Sequence, residues 1–140
     1  MCKKKIEGFN SENTVFLSNS YPYGPDDSKF PCSFTVEFDG IEFDCVEKAY
    51  QAAKCSRRAD RFQFQSLSAS QAKELGESAQ IELRENWPQM KFRVMYELVW
   101  QKFSFCEELR QKLLATGDAE IIEPDNHLGE ILMRVRNAIK

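Results

Sequence analysis

A short stretch of the sequence places four chemically capable side chains at helical spacing. In DCVEKAYQAAKC, residues 44–55, Glu47, Gln51 and Lys54 are four and three residues apart, and Tyr50 lies between them. At about 100° per residue, a helix would bring all four within about 100° of arc. A carboxylate on such a face can stabilise positive charge or position a water, and an amine with a lowered pKa can act as a nucleophile.

The same spacing also fits the outer face of an ordinary helix. Glu47 follows Asp44 by three residues, as in a capping box, and polar stripes are typical of solvated helix faces. Asn19 in FLSN and Trp87 in ENWPQMK are further candidates. Asn19 also suits a turn after a strand, and Trp87 also suits a core or hydrophobic-staple position at a helix start. From spacing alone, the solvated face is the favoured interpretation.

The composition is that of a globular protein. The chain has 140 residues, 42% of them hydrophobic and eleven of them Phe, so it can bury a core in a single domain. Charges of both signs are interspersed and the net charge is -3, which argues against a general nucleic-acid coat protein. No apolar run approaches the ~20 residues of a membrane span, and MCKKKIEGFN lacks the apolar region of a signal peptide.

Cysteine and histidine usage narrows the chemistry. The five Cys are irregularly spaced and include no C-x-x-C pair, which indicates free thiols in a reducing compartment, so we expect a cytoplasmic protein. His127 is the only histidine, which excludes sites that need two or more. The sequence shows no Gly-rich phosphate loop and no metal-ligand cluster, and we expect neither a metal nor a cofactor.

Hydrophobic periodicity predicts the elements that position these residues. Residues 1–13 are polar and expected to be loosely held, TVFL (14–17) suits a short strand, and residues 18–31 suit a loop. Apolar residues alternate on both sides of Asp39-Gly40, which predicts a β-hairpin with a two-residue type I′ turn.

After the hairpin the period becomes helical. Helix starts are predicted at DCVE (44–47), SASQ (68–71), NWP (86–88), SFCE (104–107) and near Asn126. The fourth helix should end at Thr116-Gly117. The predicted fold class is α+β and predominantly helical, with about five helices and a small N-terminal antiparallel sheet, in one domain over residues 1–140.

Seven segments in a fixed order resemble the YbiA-like, or NADAR, family. They are FLSNSYP (16–22), VEKAYQAAK (46–54), AKELG (72–76), NWPQMKFRVM (86–95), KF (102–103), LLATGD (113–118) and NHLGEILMRVR (126–136). The resemblance runs from about residue 14 to the C-terminus, and it implies a largely helical fold with a small sheet. It also implies an N-glycosidase, which cleaves a bond between a ribose C1′ and a nitrogen.

The resemblance implies a nucleotide-like substrate and a role for each candidate residue. The substrate would be a ribosylaminopyrimidine phosphate or ADP-ribose attached to guanine, as a small molecule or in nucleic acid. Glu47 could stabilise the charged sugar or position water, and Lys54 could form a Schiff base at C1′; the sequence leaves both routes open. The expected substrate-binding residues are Asn19, Tyr50, Gln51, Trp87, Asp125 and Asn126, with Arg57 and Arg58 as candidates for a phosphate.

This chain departs from the family pattern at three places. Lys48 follows Glu47 where the family usually has His, and Glu77 follows Gly76 where it often has Arg. The family's D-x-x-W-G segment is absent, since only AEIIEPD (119–125) fills its place, and we expect either a naturally short loop or an omitted one. Two alternatives therefore stay open: a nucleotide- or ADP-ribose-binding module without turnover, and a helical interaction module.

Overall fold

Helices dominate the residues that the computed structural model describes, 4–123 and 127–140. Within these ranges the α-helices are α1 (Val46–Ala53), α2 (Arg58–Arg61), α3 (Ala69–Gly76), α4 (Trp87–Phe105), α5 (Glu107–Leu114) and α6 (Leu128–Ala138). The strands are β1 (Lys5–Glu7), β2 (Val36–Phe38), β3 (Ile41–Phe43) and β4 (Glu120–Ile122). The predicted α+β, mainly helical class is confirmed; the short α2 adds one helix to the expected five.

The predicted hairpin is formed by β2 and β3. They pair antiparallel with Phe38 opposite Ile41, so the loop has two residues. Asp39 and Gly40 have φ of 52° and 79°, the two positive values that a type I′ turn requires. Helices α1 and α4 pack against β2.

The N-terminal part differs from the prediction. TVFL was expected to be a strand, but Val15–Leu17 forms a 3-10 turn in which the Leu17 N–H donates to the Thr14 carbonyl at 3.0 Å. All three turn residues are buried, whereas a strand would turn alternate side chains away from the core. Residues 5–7 form β1, which pairs in parallel with β4, a pairing that the sequence pattern did not predict.

The capping box expected at DCVE is wrong. Cys45 precedes α1 and makes no side-chain capping bond. The Asp44 carboxylate is instead held at 2.8 Å by the ammonium groups of Lys29 and Lys48. Because the Asp44 carboxylate binds two ammonium groups instead of a backbone N–H at the helix start, Glu47 has no capping partner and does not serve as a cap residue.

The other helix boundaries follow the prediction in part. At SASQ the capping box between Ser68 and Gln71 is confirmed. At SFCE it is wrong, because α4 continues to Phe105 and no side chain caps α5. Helix α5 ends at Leu114, slightly before the expected Thr116-Gly117. The expected start near Asn126 lies outside the described residues, and α6 is observed from Leu128.

Helix α6 lies directly against β4. A Cβ on Gly129 would overlap the Ile121 carbonyl oxygen and lie 3.1 Å from the carbonyl carbon. A glycine therefore permits this close approach of helix to strand. Among the described helices, none combines the length and the apolar character that a membrane crossing demands.

Candidate functional site

Glu47 and Gln51 form a hydrogen-bonded pair on α1. Gln51 is only 3% exposed, and its Nε2 donates to Glu47 Oε1 at 3.0 Å. Burial raises the pKa of the Glu47 carboxyl, while the Gln51 hydrogen bond and the charges of Lys73 and Lys54 oppose the shift. The Gln51 amide holds the carboxylate in place, and burial makes its charged form unfavourable without a nearby positive charge. Such a carboxylate is suited to stabilise a positive charge that develops on a substrate.

Lys54 lies one turn further along the same face. Burial lowers the pKa of its ammonium, and the carboxylates of Glu77 and Glu47 partly oppose this. Its Nζ is 5.8 Å from the centre of the Tyr50 ring. The lowered pKa increases the fraction of neutral amine at a given pH, which is the form that can attack carbon.

Tyr50 links α1 to the start of α4. Its ring centre is 5.1 Å from that of Trp87, at an interplanar angle of 61°. Burial raises the pKa of the Tyr50 phenol to about 12, so the phenol stays protonated at neutral pH. The two rings form an aromatic wall, and the Tyr50 ring lies beside Lys54.

Asn19 joins the site at the beginning of α1. Its carbonyl accepts the backbone N–H of Glu47 at 2.9 Å, and its side chain is 7% exposed. Two buried amide oxygens, Asn19 Oδ1 and Gln51 Oε1, have no hydrogen-bond partner in the described part of the chain. Unpaired buried polar atoms are rare in folded proteins. Gln51 Oε1 packs against Gly76, so of the two it is Asn19 Oδ1 that a ligand could satisfy.

A cavity of about 680 Å³ opens next to Tyr50. Its walls come from α4, β4 and α6, and its described lining residues are Tyr50, Lys91, Phe92, Met95, Glu120, Ile121, Ile122, Glu123, His127, Gly129, Glu130 and Met133. At its rim the rings of Phe92 and His127 meet edge to face, with centres 4.4 Å apart. The volume suits a small organic ligand.

The absence of a side chain at Gly76 leaves the space that the Gln51 side chain occupies. A Cβ on Gly76 would overlap Gln51 Oε1 and lie 2.9 Å from its Cδ. We expect Gly76→Ala to displace the Gln51 amide from Glu47 and to lower activity by about 10²-fold, as small misplacements in active sites do. Stability should fall as well, because the Gln51 Cβ lies only 3.0 Å from the added methyl and the displaced buried amide loses its hydrogen bond, which outweighs the better helix propensity of Ala. Turnover and thermal melting of one preparation measure both effects.

Gln51→Ala provides the control for this prediction. Once the Gln51 side chain is removed, adding Gly76→Ala should cause no further loss of activity, because the two changes act through one contact. Additive losses in the double variant would contradict the steric explanation.

The structure brings six of the eight predicted site residues together: Asn19, Glu47, Tyr50, Gln51, Lys54 and Trp87. Asp125 and Asn126 lie outside the described residues, as does part of the shortened segment. The two candidate phosphate ligands are already paired, Arg57 with Glu82 at 2.9 Å and Arg58 with Asp39 at 3.2 Å.

Sequence reasoning missed two residues with unusual surroundings: Gly76, which packs against Gln51, and Lys102, whose amine is buried. Gly76 and Lys102 occur in the segments AKELG and KF, which the sequence analysis used only as parts of a pattern. A glycine inside a helical pattern was the available signal for a close approach. For Lys102, the signal was a charge within an otherwise apolar helix face.

Comparison with known proteins identifies related sequences and a related structure. Residues 8–125 match the model of the NADAR domain. The chain is 30% identical to N-glycosidase YbiA of Escherichia coli, over 89% of this chain and 86% of the relative. It is 32% identical to a riboflavin biosynthesis protein of Vibrio vulnificus over 92% of this chain, but spans only 36% of that protein. The NMR structure of E. coli YbiA superposes with a TM-score of 0.79 at 25% identity, covering 99% of this chain and 86% of that one.

Proposed function

Because the chain belongs to the NADAR family, we propose that it is an N-glycosidase that hydrolyses a ribose C1′–N bond in a nucleotide-like substrate. The observation that carries the proposal is the position of Glu47 in α1 and of Lys54 directly after it, each with its pKa shifted by burial, next to Tyr50, which lines the open cavity. The relatives named as N-glycosidases support the reaction type. The four free thiols described, at Cys32, Cys45, Cys55 and Cys106, suit the cytoplasm.

Cleavage of the C1′–N bond builds positive charge on the sugar. The Glu47 carboxylate would stabilise this charge. Gln51 would hold the carboxylate in place through the 3.0 Å hydrogen bond. The unpaired amide oxygen of Asn19 would accept a hydrogen bond from a hydroxyl group of the ribose.

We assign the nucleophile to Lys54. Its neutral Nζ attacks C1′, and the C1′–N bond breaks, with the electron pair and a proton going to the departing base. The Nζ lone pair then forms a C1′=Nζ double bond as the C1′–O4′ bond breaks, and O4′ takes up a proton, which leaves a protonated imine on the opened sugar. Water adds to the imine carbon, and breakage of the C1′–Nζ bond releases the free sugar and restores the amine.

The cavity beside Tyr50 would hold the departing base. Its apolar walls, such as Met95 and Met133, suit a flat heterocycle, and Trp87 and Tyr50 supply aromatic faces on the sugar side. The rim carries the carboxyl groups of Glu120 and Glu130, which can accept hydrogen bonds from amino groups of a guanine or an aminopyrimidine.

The test is to incubate the protein with a ribosylaminopyrimidine phosphate and, separately, with ADP-ribosylated guanine, and to measure the free base. Release of base from either substrate above the rate without protein is the expected result. Binding without release would favour the alternative, a non-catalytic nucleotide- or ADP-ribose-binding module. That alternative draws on the absent D-x-x-W-G segment.

A further inference from the structure

Lys102 is a lysine whose amine lies inside the protein core. It sits on α4 and is 1% exposed. Its Nζ donates to the carbonyl oxygens of Phe16 at 2.7 Å and Ser18 at 2.8 Å. Across the described ranges, 4–123 and 127–140, no carboxylate forms an ion pair with it.

The surroundings of Lys102 are aromatic and sulfur-containing. The ring centres of Phe103, Tyr21 and Phe34 lie 4.9, 5.5 and 5.9 Å from Nζ. The other titratable groups that act on it are thiols, those of Cys45, Cys32 and Cys106. Burial lowers the pKa of this lysine to about 7. Burial of an amine without a carboxylate partner is unfavourable, and an apolar residue would fill the same space without that penalty. The amine at this position therefore has a role other than filling the core.

The two carbonyls that Lys102 binds belong to one short segment, residues 16–18. The next residue is Asn19, whose own carbonyl accepts the backbone N–H of Glu47 at 2.9 Å. A continuous chain of hydrogen bonds and covalent bonds therefore runs from Nζ of Lys102 to the first turn of α1.

We propose that Lys102 is a positioning residue that fixes residues 16–18 against α4, so that Asn19 and Glu47 keep their places in the site. This inference rests on the proposed glycosidase function for its catalytic consequence. Lys102 itself touches neither the cavity nor the α1 face; it acts through the backbone of the segment that it holds.

Lys102→Met tests the role of the amine, because Met has a similar length and removes both hydrogen bonds. Lys102→Gln keeps a neutral donor on a shorter side chain and should give an intermediate result. Lys112→Met is the matched control: Lys112 is also near this segment, with Nζ 5.9 Å from the Phe16 ring, but its side chain is 45% exposed and pairs with Glu108.

Two measurements are made on each variant: kcat and KM for base release, and hydrogen exchange of the Glu47 backbone amide. For Lys102→Met we expect kcat to fall by about 10²-fold with a smaller change in KM, and the Glu47 amide to lose protection while the amides of α5 keep theirs. Lys112→Met should match the unmodified protein in both measurements. Unchanged kcat and Glu47 protection in Lys102→Met would overturn the proposal.

The amide measurement separates this inference from the proposed function. If the unmodified protein releases no base, the glycosidase assignment fails, and the protection of Glu47 still decides whether Lys102 holds the segment. If neither Lys102 variant folds, NMR of the unmodified protein decides. We expect the Nζ protons of Lys102 to exchange slowly with solvent, and exchange as fast as that of Lys112 would overturn the proposal.

Discussion

Glu47→Gln is expected to lower turnover by about 10²-fold or more and to leave the melting temperature unchanged or slightly higher. The amide keeps the shape of the side chain and can still accept from Gln51 Nε2, but it carries no charge to stabilise the sugar. Removal of the carboxylate costs no helix cap, since α1 has no side-chain capping bond. Turnover and melting are measured on one preparation.

The direction of the stability change follows from the pKa of Glu47. Because burial raises this pKa, the folded protein binds the proton more tightly than the unfolded chain does. The stability contributed by protonated Glu47 is present below the unfolded pKa and is lost as pH rises through the folded one. At neutral pH the wild type therefore bears a penalty that the Gln variant lacks.

Glu77→Gln is the control for the loss of charge. Glu77 is exposed directly after the neighbouring helix α3 and also acts on the charge of Lys54. In the described part of the chain its carboxylate makes no hydrogen bond to the Gln51 amide, which is bonded to Glu47, so this variant should retain most of the activity. Equal turnover in Glu47→Gln and the wild type would remove Glu47 from the chemistry.

Lys54→Arg is expected to abolish the covalent route and to lower turnover by about 10³-fold or more. Arginine preserves the positive charge, but its guanidinium stays protonated and does not attack C1′. Borohydride added during turnover should reduce the imine in the wild type and leave a sugar attached to Lys54, which mass spectrometry of the digested protein would detect. Lys54→Arg should give no such adduct.

Lys73→Arg is the matched control for Lys54→Arg. Lys73 lies exposed on α3, and its charge acts on both Glu47 and Lys54, yet the proposed route assigns it no bond to substrate. It should keep both turnover and the trapped adduct. Full activity in Lys54→Arg, without an adduct in the wild type, would instead favour direct attack by water that Glu47 positions.

Local patterns were sufficient to predict the parts of the fold that local forces decide. The hairpin at Asp39-Gly40 depends on turn chemistry and alternation, and both are visible in a few residues. The predicted cap at Asp44 was wrong because the Asp44 carboxylate binds Lys29 and Lys48 instead, and Lys29 is distant in sequence. The strand predicted at residues 14–17 was wrong because a short apolar run fits a strand or a buried turn equally well, and Val15–Leu17 forms the turn.

The same division applies to the site. The spacing of Glu47, Gln51 and Lys54 on one helix predicted that they share a face, because a helix fixes that relation by itself. The contact between Gly76 and Gln51, the amine of Lys102 under residues 16–18, and the cavity between α4, β4 and α6 arise from packing between distant segments. Periodicity carries no information on such contacts.

The parallel pairing of β1 with β4 has a consequence for the order in which the protein assembles. Lys5 lies opposite Glu120, so this pairing joins residues near opposite ends of the sequence, and such contacts form late because closing a long loop is entropically unfavourable. The hairpin joins neighbouring residues, whereas α1, with eight residues, is held by packing against α3 and α4, which also precede β4 in the sequence. The strand that walls the cavity gains its partner only after Ile122 has been added, so a chain still being synthesised would carry the face with Glu47 and Lys54 before it could enclose a substrate.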